Sequence, residues 1–132
     1  MHMYLEFHDS VLAAFHHRDH TSALQLRPAY IHRSTGRPGI DPGEVYIQDL
    51  DIVIGEAHFS AESHALPFVI WDGAVAIGEK ELVNLVPGDL HQTGPVRLRL
   101  VPTFSDSEFT VSGNSIEILP VGEPAFQDNF LG

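Results

Sequence analysis

Hydrophobic and polar positions alternate most cleanly at Val96-Arg97-Leu98-Arg99-Leu100-Val101. Successive side chains of a strand point to opposite faces, so this spacing predicts a strand with Val96, Leu98 and Leu100 buried and both arginines wet. Phe109-Thr110-Val111 and Ile116-Glu117-Ile118-Leu119 flank Ser112-Gly113-Asn114-Ser115. Together they predict a hairpin with a four-residue connection. Residues 45–54 are rich in β-branched side chains and read as extended, with a slip in alternation near Leu50 that predicts a bulge or break. The apolar run 66–71 stops at Asp72-Gly73, and Ala74-Val75-Ala76-Ile77 follows. Asp-Gly between such runs predicts a second hairpin.

The first 35 residues allow two readings. Ser10 caps a helix through Val11, Leu12, Ala14 and Phe15, or Val11, Ala13 and Phe15 share one strand face. In the strand reading, which we favour, the chain turns near Arg18-Asp19-His20 and Leu24, Leu26, Pro28 and Tyr30 alternate on the return. Residues 79–85 admit a short helix. Residues 55–64 hold few strand formers and read as a loop of the kind that carries binding residues. The tail, residues 121–132, reads as irregular, with Phe126 and Phe130 docked on the body. Gly, Pro, Asn and Asp punctuate the chain at short intervals, which favours a sandwich or barrel. The expected fold is therefore mainly β: one antiparallel sandwich or partly open barrel over residues 1–132, with at most one or two short helices.

Composition narrows the function classes. Hydrophobic residues make up 43% of the 132, enough for a packed core. No apolar run approaches the roughly 18–20 residues that span a bilayer. The first residues lack a basic stretch followed by an apolar one, so no signal peptide is expected and the cytoplasm is the expected location. Without cysteine there is no disulfide or thiolate chemistry. A formal charge of −11 with only seven Lys and Arg makes nucleic acid and anionic membranes poor partners.

That charge is unevenly laid out. Residues 1–37 hold four Arg, three acids and six of the nine His, whereas residues 38–132 hold three basic residues and fifteen acids. Such asymmetry marks either a face that steers a basic partner or a solvated surface that resists aggregation. Protonating all nine His would move the formal charge from −11 to −2, so solubility is expected to fall near pH 5 relative to pH 8.

Candidate chemistry is sparse. His16, His17 and His20 lie within five residues, with His8-Asp9 upstream. On a helix, His16 and His20 would share a face at the spacing metal sites use, and with His8 they form a candidate zinc or nickel set. On a strand, His16 and His17 diverge, and the stretch is a polar hairpin tip. Otherwise no cofactor is expected. Asp49 and Asp51 fall on one strand face, and with Glu56 they are candidate acidic binding residues. Ser10 follows His8-Asp9, but adjacency in sequence does not build a catalytic triad. No nucleophile elbow or phosphate loop occurs. Tyr30, Tyr46, Phe59, Phe68 and Trp71 read as core.

Two stretches carry a resemblance. Phe7-His8-Asp9-Ser10 with the hairpin after it is similar to the start of some small bacterial domains. Phe109-x-Val111-x-Gly113-x-x-Ile116-x-Ile118, followed by Gly122-Glu123, Phe126 and Phe130, resembles their closing strands. Some domains of this kind are grouped with immunity proteins of bacterial toxin systems. The resemblance covers about a quarter of the chain. It implies a β-rich fold and a protein partner, and transfers no catalytic residue. The leading expectation is a noncatalytic protein-interaction module. The alternatives are a small metal-dependent protein using the N-terminal histidines and a subunit that self-associates, for example as a homodimer.

Overall fold

The computed structural model describes residues 2–60 and 64–132. Ten strands follow one another: β1 (His2–Glu6), β2 (Val11–Arg18), β3 (Thr21–Ser34), β4 (Gly43–Gly55), β5 (His58–Phe59), β6 (Phe68–Ile77), β7 (Lys80–Val83), β8 (Leu85–Pro87), β9 (His91–Pro102) and β10 (Phe109–Phe130). The chain is thus mainly β, with no helix among the described residues, and so none long and apolar enough to cross a membrane.

All pairings are antiparallel, in the order β2-β6-β9-β10-β4-β3-β1-β8, and β2 also pairs with β3. The path therefore bends back on itself. The β2–β6 seam holds only two residue pairs, Val11 with Val69 and Leu12 with Phe68, so the ring stays partly open. Two long strands change neighbours along their length. The first half of β3 borders β2 and the second half borders β1. β10 pairs with β9 up to Glu117 and with β4 from Ser115 to Phe130. Register steps sit where the neighbours change, at Leu26/Ala29 on β3 and Gly113/Ser115 on β10. Bulges of this kind bend a strand and increase its twist, which lets one strand serve two parts of a curved sheet.

The core lies on the concave face. Leu24 and Leu26, Leu50, Ile52 and Ile54, Val96, Leu98 and Leu100, and Ile116 and Ile118 are all buried, each set at a spacing of two. Full burial of such a side chain contributes about 1.5–3 kcal/mol. The predicted strand at 96–101 is the second half of β9, with its two faces as expected.

The N-terminal hairpin is also as expected. Asp19 and His20 adopt φ of 52° and 65° between Arg18 and Thr21, the doubly left-handed turn that suits twisted hairpins. Ser10 does not cap a helix. Leu12 takes the buried position expected of Val11, because a register step between Leu12 and Ala14 resets the alternation. On β3 the step after Leu26 likewise sends Ala29 and Ile31 inward in place of Pro28 and Tyr30.

Two predicted hairpins are single strands instead. β10 runs through Ser112–Ser115, because Gly113 is a close-approach site: a Cβ there would run into the Gly55 carbonyl and the Ile54 side chain. β6 runs through Asp72-Gly73 for a similar reason. A Cβ on Gly73 would lie 2.7 Å from Cγ of the fully buried Phe7. The chain reverses at Gly78-Glu79, where Ile77 faces Lys80 and Gly78 has φ 60°.

Residues 79–85 form β7 and the start of β8, with Leu82 packed on the core, and no helix. The tail is a strand rather than irregular. It pairs with β4 through to Phe130, and steps around Gly122–Pro124 absorb three residues. Phe126 and Phe130 do dock, edge-on to Tyr46 (5.7 Å) and His32 (5.4 Å). β4 itself is unbroken at Leu50; the irregularity predicted there falls on its neighbours, opposite Asp49 on β3 and opposite Gln48 on β10. The loop predicted at 55–64 contains the short β5, and residues 61–63 of it lie outside the described residues.

Candidate functional site

The strand reading of the N-terminus decides the fate of the histidines. His16 and His17 are neighbours on β2 and point to opposite faces. His17 pairs its Nδ1 with the Ser22 hydroxyl at 2.8 Å and packs against Phe59. His20 sits in the turn, exposed. His8 precedes β2, and its Nδ1–H donates to the Trp71 carbonyl at 2.7 Å. His8, His16 and His20 are therefore not brought together. Among the described residues no three His, Asp or Glu side chains are grouped to hold a metal ion.

Asp49 and Asp51 do share the outer face of β4, but an arginine claims them. Arg27, at the β3 bulge, donates from Nη2 to Asp51 Oδ1 at 2.8 Å and brings Nε to 4.0 Å from Asp49 Oδ2. Its Nη1 also donates to the carbonyls of Leu26 (2.9 Å) and Leu50 (2.8 Å). This clamp ties β3 to β4 where their register steps. Glu56 lies beyond the end of β4, exposed at φ 48°, and does not join the pair. Ser10 is fully buried. Its hydroxyl donates to the Glu6 carbonyl at 2.6 Å and accepts from the Tyr30 amide at 3.0 Å. That hydroxyl locks a chain crossing and has no proton left to give a base.

The most distinctive surface is built on Trp71, a residue expected in the core. Trp71 is 60% exposed, because the bulge between Ile70 and Asp72 turns it outward. Phe59 is also largely exposed. Trp71 lines a cleft of about 700 Å³ with Val101, Pro102, Thr103, Phe104, Ser105 and Asp106. Phe104 is fully exposed and holds φ at 62°. A bulky side chain in the left-handed region costs about 1–2 kcal/mol, so its surroundings must impose it.

Both walls of the cleft are anchored. Trp71 meets the His8 ring edge-on at 5.0 Å, and the same imidazole holds its carbonyl. On the opposite wall, the Thr103 amide and hydroxyl both donate to the Val69 carbonyl, at 2.9 and 3.1 Å. Ser105 Oγ accepts the Ser107 amide at 3.1 Å, which tightens the loop after Phe104. Val69, on the same strand face as Trp71, adds exposed apolar surface. Carboxylates border this surface: Asp106 lines the cleft, and Asp9 brings Oδ1 to 3.6 Å from Nε2 of His8, the ring that meets Trp71.

Compared with protein-family models, curated proteins and solved structures, the chain finds no match. The site must therefore be read from its own geometry. The site sets two exposed aromatics on fixed backbone, with apolar side chains beside them and Asp106 at the edge. The exposure of Trp71 has one signal in the sequence, Asp72 and Gly73 directly after an apolar run, a pattern that equally predicts a turn. Phe104 had none, since its backbone conformation is set by the loop around it.

Proposed function

We propose that this protein is a noncatalytic protein-interaction module that docks a basic protein partner on the Trp71–Phe104 cleft. The observation that carries this is Phe104, wholly exposed and held in a left-handed conformation beside the equally anchored Trp71. Exposed aromatics set on rigid backbone lose little entropy on binding, and tryptophan is enriched among residues that dominate interface energy. The acidic border and the net charge of −11 add attraction for a basic surface and speed encounter. The resemblance to immunity proteins agrees, since a basic nuclease-type toxin is the kind of partner an acidic face serves.

Pairing of two copies through the free edge of β10 is less favoured. Beyond Glu117 that edge carries Pro120 and Pro124, which lack amide donors, and a bulged stretch at Gly122.

Selection from a displayed peptide library tests the proposal. Enriched peptides are expected to combine Lys or Arg with an apolar anchor. Trp71→Ala or Phe104→Ala should weaken them by roughly tenfold or more without lowering the thermal midpoint. Peptides insensitive to both substitutions, or no enrichment at all, would overturn it.

A further inference from the structure

A separate opening, sharing no residue with the Trp71 cleft, lies where β8 and β10 approach without pairing. The Leu90 carbonyl accepts the Ile118 amide at 2.9 Å, so the two segments touch once. Past that bond the facing lips carry Pro87 and Pro120. Neither has an N–H, so no ladder can close the gap. The space left is about 350 Å³, within the size range of small-molecule pockets, which favour barrel mouths.

The pocket is preformed. Its floor is Ile31 and Leu50, both essentially buried and continuous with the core. One wall is Met3, Tyr4 and Gly88, tied together by the Gly88 amide donating to the Met3 carbonyl at 2.9 Å. That approach favours glycine, because a Cβ on Gly88 would stand 3.1 Å from the same carbonyl oxygen and crowd it. The opposite wall is held by Gln48, whose Nε2 donates to the Gly122 carbonyl at 2.9 Å.

The polar groups choose the ligand. Gln48 commits one N–H of its amide to the wall and leaves its Oε1 as an acceptor; His2 also lines the opening, and Asp89, the one carboxylate among the lining residues, stands at the rim with no ion pair among the described residues. Acceptors over an apolar floor, in a chain of charge −11, match a donor with positive charge and repel an anion. We infer that this gap is a binding site for a compact apolar molecule bearing a primary ammonium group. The body fills the space over Ile31 and Leu50, and the ammonium donates to Asp89.

The test is titration of the full chain with 1-aminoadamantane and, separately, adamantane-1-carboxylate at about pH 8, where free imidazole is neutral. Binding is read by calorimetry and by NMR shifts of the Ile31 and Leu50 methyls. The amine is expected to bind at millimolar concentration or below, move both methyls, and exceed the carboxylate by roughly tenfold. Asp89→Asn, at an exposed position, should remove most of that preference, and Met3→Trp should block both probes by filling the wall. Trp71→Ala should change nothing here, so failure of this site and failure of the protein-docking cleft are separable. Unmoved methyls at millimolar amine, equal binding of the carboxylate, or full amine affinity in Asp89→Asn would each overturn the inference.

Discussion

His32 and Glu6 meet across the β1–β3 pairing, with the imidazole Nε2 3.0 Å from the carboxylate Oε2. The histidine side chain is 8% exposed and the glutamate 22%. Phe130, at the end of β10, closes over the imidazole edge. One contact thus joins the first strand, the third and the last. Replacing His32 by Ala removes this half-buried polar contact and the ring that Phe130 packs on, a loss of about 1–3 kcal/mol. Glu6→Gln keeps an acceptor and should cost less. Urea unfolding checks the magnitude. Hydrogen exchange at residues 126–130 checks the route, since the tail should fray in His32→Ala. An unchanged midpoint would show that the contact contributes nothing net.

Three glycines should respond to alanine in a defined order. At Gly113 the obstruction is the Gly55 backbone and the Ile54 side chain, which have little room to yield within the β4–β10 pairing. At Gly73 it is the Phe7 ring, buried but able to tilt. At Gly78 nothing lies within 4 Å, and only the positive φ of 60° resists a side chain. Gly113→Ala should cost the most, upwards of about 3 kcal/mol, Gly73→Ala about 1–3, and Gly78→Ala about 1. Chemical denaturation of the three variants gives the order, and a cost at Gly78 exceeding that at Gly113 would contradict the packing account.

The same glycines show where the sequence was legible. Period-two alternation on β9 survived because one face is apolar and the other charged. The turn at Asp19-His20 was legible because polar residues separated two alternating runs. Asp72-Gly73 and Ser112–Ser115 have turn composition, yet their glycines answer to neighbours far along the chain, Phe7 and Gly55. A local pattern cannot show that. The tail looked irregular because Pro120, Gly122 and Pro124 interrupt it, although β4 offers a partner throughout. At the candidate site, Asp49 and Asp51 were correctly placed on one face. Their engagement by Arg27 depended on a bulge 24 residues away in the chain. The cleft is not legible in the sequence for a similar reason: a bulge in β6 and a loop conformation turn Trp71 and Phe104 outward.

The β3–β4 connection should loosen in acid. The Arg37 backbone amide, 2.6 Å from Asp41 Oδ2, and next the Arg37 guanidinium hold the Asp41 carboxyl below the usual carboxylate range. A lowered folded value means the stabilisation is fully present above the ordinary pKa and fades as pH falls through the folded one. The loop should therefore be ordered at neutral pH and open in acid, starting below about pH 4. NMR titration of the Arg37 amide is the direct reading, and Asp41→Asn should show the open signature at every pH. An Arg37 amide that stays put while Asp41 titrates would refute the coupling.

Phe104 offers the sharpest separation of stability from function. Its side chain is solvated, so removal forfeits little packing, while its φ of 62° stores strain. Asparagine tolerates the left-handed region far better than phenylalanine. Phe104→Asn should therefore stabilise the isolated protein by about 0.5–1 kcal/mol while weakening any ligand selected on the cleft by roughly tenfold. Thermal unfolding and a binding titration on the same variant measure both. A gain in stability with unchanged binding would make Phe104 incidental to the site. A loss of stability would mean that the loop needs the ring for its own packing. The paired outcome is what distinguishes an aromatic maintained for a partner from one maintained for the fold.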